Sequence, residues 1–163
     1  MSAGRRLLLV GGIVLALWGM SYGLWYAVFA EHQALDGIGD SLATGFTAAA
    51  DRNSAGAAAS MQQYREAKYR YDRQVDVHGH WIGLAMLMIV VGIGYERIGS
   101  SNRVKFLMAL GLYFGAVLFP LGVLLQTVSH GPGPRGLAIL GSGLIIVSLG
   151  AMAVGFARQE IAV

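Results

Sequence analysis

Four side chains in this sequence combine the capacity to ligate a metal with the capacity to carry a proton: His32, His78, His80 and His130. Each falls at the end of a long apolar run. His32 closes the first run, His78 and His80 open the second, and His130 closes the third. Neutral imidazoles ligate haem iron, zinc, copper and non-haem iron, and free ones titrate at about pH 6.5. Two imidazoles on facing helices are what axial ligation of a b-type haem requires. His80 and His32 are the first candidates for that role, then His130, then His78. Glu31 and Asp76 stand close by in sequence, where either carboxylate would accept the second ring N–H of a ligand and fix its tautomer. The same residues also suit another metal held by His80, His32 and His130, or a pH-responsive surface. They also suit a cofactor-free arrangement in which each imidazole hydrogen-bonds locally, with Trp81 as an interfacial anchor.

The spacing of His78-Gly79-His80 limits these options. Side chains two apart on a helix point about 200° from each other, so both cannot enter one site from a regular helix. Either His78 precedes the helix and folds in with the help of Gly79, or His80 alone faces the bundle and His78 faces the loop. The face continuing from His80 is Gly83, Leu84, Leu87, Val91 and Gly94, which is apolar and open one turn below. Met86 and Met88 are soft donors, but they lie within an apolar run and read as packing or lipid-facing residues.

The elements that would position these residues are membrane spans. The chain of 163 residues is 55% hydrophobic and only 13% charged, against about 25% charged for a soluble domain. Crossing a bilayer core takes about 20 apolar helical residues. Four stretches qualify, at 7–30, 79–96, 106–129 and 136–157, and together they use nearly all the hydrophobicity of a single membrane domain. The fold expected is all-α, an integral membrane four-helix bundle. The 24 glycines fall partly within the spans, where small residues let helices approach closely.

The long connection at 31–77 carries apolar residues at helical spacing, Leu35, Ile38, Leu42 and Phe46, and then Met61, Tyr64, Tyr71 and Val75. A turn at 51–56 separates the two series. Two short amphipathic helices lying on or folded over the outer surface are expected. The tyrosines Tyr64, Tyr69 and Tyr71 interleave with Arg65, Lys68, Arg70 and Arg73 in the manner of an interfacial helix. The turn at 130–135, with two prolines and two glycines, would hold His130 at the top of the third span.

The net charge of +3 does not indicate a nucleic-acid partner, because the basic residues Arg5, Arg6, Arg97, Arg103, Lys105 and Arg158 flank the spans instead of forming a soluble basic face. Six Lys or Arg fall in about 22 residues of the terminal segments and the 96–105 loop, and six more are spread over about 53 residues of the other connections. With the arginines Arg5 and Arg6 ahead of the first span, this places both termini in the cytoplasm, the membrane being a bacterial inner membrane, and all four histidines outside. Val28-Phe29-Ala30 satisfies a small-residue cleavage rule, but the apolar run before it far exceeds the ~7–15 residues of a cleaved signal, so an uncleaved first helix is expected. The absence of cysteine excludes disulfides, thiolate metal sites and cysteine nucleophiles. No nucleophile elbow, phosphate-binding loop, zinc-protease or dinucleotide motif occurs.

At Val77-His78-Gly79-His80-Trp81-Ile82-Gly83 the sequence resembles segments of haem-copper-oxidase subunit I relatives and of small four-helix membrane proteins similar to them. Phe119-Pro120-Leu121-Gly122 and residues 136–143 are similar to the later helices of such small proteins. The resemblance implies b-type haem ligation at His80 or His78. The chain is far shorter than an oxidase and lacks the binuclear site, so oxygen or nitric oxide reduction is not implied. The leading expectation is a haem or metal protein serving electron transfer or a redox complex. The alternative is a cofactor-free structural or interaction subunit whose outer loop binds a partner or lipid, as part of a larger complex or a homo-oligomer.

Overall fold

The computed structural model describes residues 1–129 and 131–160. Five α-helices follow one another: α1 (Ala3–Phe29), α2 (Glu31–Ala50), α3 (Ser54–Gly94), α4 (Asn102–Leu125) and α5 (Pro132–Glu160), with a short 3₁₀ turn at Tyr95–Arg97 between α3 and α4. Four of them, α1, α3, α4 and α5, are long and apolar enough to cross a membrane. The protein is an all-α helical bundle.

One difference from the sequence reading changes the architecture. The second amphipathic segment and the second span are a single unbroken helix of 41 residues. At 1.5 Å per residue α3 is about 60 Å long, twice the ~30 Å hydrocarbon core of a bilayer. Residues 54–94 include neither proline nor a run of turn residues, so nothing in the backbone ends the helix at His78-Gly79-His80. Asn53 starts it by accepting a hydrogen bond from the Gly56 N–H through its side chain (2.9 Å), satisfying one of the free donors of the first turn.

On the partner strand of the pair, α1 and α2 are divided by Ala30 alone (φ −126°, ψ −31°), whose N–H still reaches Tyr26 O and whose carbonyl still accepts from Ala34 N. The two helices together therefore run antiparallel to α3 for its whole length. Gly4 meets Tyr95, Gly12 meets Ala85 and Ile89, Gly19 meets Trp81 and Ile82, Gly23 meets His78, and Gly45 meets Ser60. The 31–77 segment does not fold over the bundle. It continues the α1/α3 pair as a helical hairpin that turns at 51–53, where Arg52 takes a positive φ of 56°.

Helices α4 and α5 pack together beside the membrane half of this pair. Their contact depends on missing side chains. A Cβ at Gly141 would stand 2.4 Å from Phe119 N, and one at Gly122 would stand 2.4 Å from Ala138 N. In lipid there is little hydrophobic gain from burying one apolar helix on another, so close backbone approach and dispersion carry such interfaces. The core that results includes Leu8, Leu15, Val77, Trp81, Ala85, Met88, Leu112, Ala116 and Met152. At the terminal side, Ser2 Oγ donates to Glu96 Oε1 (2.7 Å), Lys105 Nζ to Glu96 O (3.2 Å) and Gly99 N to Gly155 O (2.9 Å), binding the chain ends to the turn between α3 and α4.

The α4/α5 contact yields a prediction. Gly141→Val forces its branched side chain into the Phe119 backbone and lowers stability in detergent by about 2–3 kcal/mol, the range for overpacked interiors. Gly143→Val, where a Cβ meets nothing within 4 Å, stays within about 0.5 kcal/mol of the parent. Equal thermal midpoints for the two variants would contradict this packing.

Candidate functional site

Where the hairpin leaves the bundle, polar side chains from α1, α2, α3 and the end of α4 form a belt. It begins just above the aromatic core. Trp81 is 4% exposed and meets Trp18 and Tyr22 edge-on, with ring centroids 6.1 and 5.3 Å apart. It is therefore a packing residue of the α1/α3 contact and not an interfacial anchor. One turn above, the Tyr22 hydroxyl donates to Gln74 Oε1. Higher still, Tyr26 and Tyr71 rings approach to 6.4 Å, and the Tyr71 hydroxyl donates to Glu31 Oε1 (3.3 Å). The Tyr26 hydroxyl is buried there without a hydrogen-bond partner among the described residues. On the other side of α3, Tyr69 donates to Gln126 Oε1 (3.4 Å) and lies under the Arg73 guanidinium at 5.1 Å.

The periodicity of α3 distributes its histidines to different neighbours. His78 lies against Gly23 of α1, where an added Cβ would come within 3.1 Å of its ring. His80 presents its ring edge-on to Phe119 of α4, at 4.8 Å between centroids, and its Nδ1 is 2.6 Å from Asp76 O. The unbroken helix removes the arrangement in which His78 precedes it, and His78 faces α1, not a surface loop. The buried stripe of α3 is Val77, Trp81, Ala85, Met88 and Gly92; Gly83 on the His80 side is exposed. Met88 packs in the core and Met86 is 56% exposed on the lipid side.

His32 stands on α2 with its side chain 88% exposed, 3.5 Å from Asp36. Glu31 serves Tyr71, and Asp76 lies 3.8 Å from Arg73. His130 lies outside the described residues. Among the described residues no three His, Cys, Asp or Glu side chains gather as a metal site. A haem needs imidazoles aimed into one apolar slot. The apolar cavity between α1, α3 and α4, about 310 Å³, is lined by Trp18, Trp81, Tyr113 and aliphatic residues, with no histidine among them. The described histidines lie apart from this cavity, His78 against Gly23, His80 against Phe119 and His32 at the surface of α2.

A second hollow, about 540 Å³, is polar and open; it is lined by Gln62, Arg65, Glu66, Tyr69, Arg70 and Thr127, where the α4 end meets the stalk. Along the stalk the ion pairs are local. Lys68 bonds both Asp72 oxygens (2.8 and 2.9 Å), which holds its ammonium above the usual lysine value, and Gln62 donates to Glu66. Such exposed pairs contribute little to stability. The belt thus holds two helices in register at the point where they leave the bundle, and among the described residues it pairs no nucleophile with a base. Tyr22, Tyr26 and Gln74 are members that the sequence reading did not single out as a site. Their signal, a tyrosine series in a first span at one-turn spacing, is visible, but their partners depend on the antiparallel register. No family model, curated protein or solved structure matches the chain.

The unequal settings of the histidines predict unequal effects. His80→Ala removes a ring packed on Phe119 and its bond to Asp76 O, and costs about 1–2 kcal/mol of stability in detergent. His32→Ala stays within about 0.5 kcal/mol. Unfolding midpoints of the two variants that coincide would show that the imidazoles share one environment.

Proposed function

We propose that the protein is a membrane-anchored assembly subunit, and that its working element is the hairpin of α2 and the distal part of α3. The observation that carries this reading is the length of the α1–α2/α3 pair, about twice a bilayer core, with an incompletely covered apolar surface on the part beyond the ends of α4 and α5. No residue of α2 is buried. Leu35, Phe46 and Met61 are 47%, 72% and 44% exposed. Leu42, Phe46, Met61 and Tyr64 line an open hollow of about 200 Å³ near the hairpin tip. Outside the bilayer such residues face water, and two helices alone cannot bury them.

The occupant proposed is a second copy of the chain. Copies inserted in one membrane share an orientation, so a two-fold axis along the membrane normal sets each hairpin beside the same flank of the other, level for level. Two hairpins become a four-helix bundle, which encloses a core of its own. A face about 30 Å long and two helices wide offers about 600 Å² per copy, near the ~800 Å² of a standard stable interface. The dense Lys and Arg of the terminal side support an orientation with that side in the cytoplasm.

The absence of native cysteine makes a direct test available. Ala49→Cys, on the apolar flank, forms a disulfide-linked dimer on mild oxidation in native membranes, whereas Thr44→Cys, on the opposite face of α2, does not. Phe46→Asp lowers the Ala49→Cys yield at least about tenfold. Absence of cross-linking from Ala49→Cys, or equal yields from both positions, overturns the reading. So does a Soret band in the purified protein that is lost in His80→Ala, which would support the cofactor function in its place.

A further inference from the structure

The apolar cavity beneath Trp81 does not end within the bundle. It meets a second hollow of about 470 Å³ at Gly11, Val14 and Tyr113, and that one opens at Arg6 on the terminal side. Together they make one groove between α1 and α4 on the membrane-facing surface. Its walls are aliphatic and aromatic throughout, and Arg6 is its one charged lining residue. From Arg6 to Trp18 along α1 is about 18 Å. One leaflet of a ~30 Å hydrocarbon core is about 15 Å deep. The groove thus has the length of a single leaflet, with a cation at the headgroup end and two tryptophans near the bilayer centre.

We infer that this groove binds one anionic phospholipid of the terminal-side leaflet, its phosphate on Arg6 and an acyl chain laid between α1 and α4 up to Trp18. The charge setting supports an anionic headgroup. Arg5, Arg6, Arg97, Arg103 and Lys105 lie at this end of the molecule. Glu96, the acidic side chain described there, is already engaged by Ser2 and lies close to Lys105 and Arg5. The Arg6 backbone N–H donates to Ser2 O (3.0 Å), whereas its guanidinium makes no hydrogen bond or ion pair among the described residues and is free to chelate phosphate oxygens in bidentate fashion. A second copy of the chain is a poor occupant of the same groove, because the shared orientation of copies would set Arg6 against Arg6. Gly11 explains why the groove is continuous. A Cβ there would come within 2.9 Å of the Tyr113 ring, so any larger residue would push the tyrosine across the passage.

The test uses the full chain, delipidated in detergent and titrated with dioleoyl phosphatidylglycerol or dioleoyl phosphatidylcholine, with bound lipid counted by native mass spectrometry. The expected result is one tightly held phosphatidylglycerol, preferred at least about tenfold over phosphatidylcholine and not displaced by inorganic phosphate. Arg6→Gln abolishes the preference while some binding of both lipids remains. Val14→Trp, a substitution at a position 57% exposed and so compatible with folding, fills the groove and removes tight binding of either lipid. Arg158→Gln, on α5 away from the groove, leaves the preference intact. Equal binding of the two lipids, displacement by phosphate, retention of the preference in Arg6→Gln, or its loss in Arg158→Gln would overturn the proposal. A Val14→Trp chain that keeps its helical circular dichroism and still binds phosphatidylglycerol tightly would do so as well.

Discussion

The close antiparallel contact between α1 and α3 sets the position of every other feature. It is built from glycines on α1 that face side chains or backbone on α3: Gly12 at Ala85 and Ile89, Gly19 at Trp81 and Ile82, Gly23 at His78. In lipid the hydrophobic effect does not press two apolar helices together, and close approach of small residues must replace it. The contact fixes the register of the pair. That register places Tyr22 beneath Gln74 and Tyr71 beside Glu31, and it carries α2 along the distal part of α3. A shift of one residue on either helix would turn these hydroxyls away from their acceptors and the glycines away from Trp81.

The molecule then divides by solvent and not by sequence position. In the membrane half, backbone polar groups are satisfied within helices, side-chain polarity is withheld, and glycines and aromatics make the contacts. Lys105 shows the rule at its edge: it is 8% exposed and turns its ammonium to the Glu96 carbonyl. In the stalk half the same helices carry local ion pairs and an uncovered apolar flank. The belt of tyrosines lies between them, with apolar ring faces packed inward and the hydroxyls of Tyr22, Tyr69 and Tyr71 hydrogen-bonded. The same geometry explains the groove between α1 and α4. With α1 held to α3 by its glycine face, α4 meets α1 at Gly11 and Tyr113, and apolar space lies on both sides of that contact.

Much of the fold was legible in the sequence, because a span announces itself by composition and length. The four apolar runs lie in four separate long helices, and of the turn expected at 51–56 only 51–53 separates two helices, 54–56 being already in α3. The continuity of α3 was not legible. The 31–77 connection read as two short amphipathic helices and the second span as a separate run from 79, although residues 54–94 hold no proline that would end the helix between them. The unequal histidines were half legible: the 200° rule already separated His78 from His80, but only the register shows that one meets Gly23 and the other Phe119. Trp81 read as an interfacial anchor because single-sequence polarity cannot show that Trp18 and Tyr22 enclose it.

The central claim is that the hairpin stands beyond the bundle and pairs with its counterpart there. The most direct measurement is the distance between nitroxides placed at Arg52→Cys, at the tip, in the otherwise cysteine-free chain reconstituted into bilayers. The account predicts a narrow distribution centred at about 20–30 Å, the width of a bundle of four helices each ~10 Å across. A featureless decay, as given by copies distributed at random in the membrane, would contradict it.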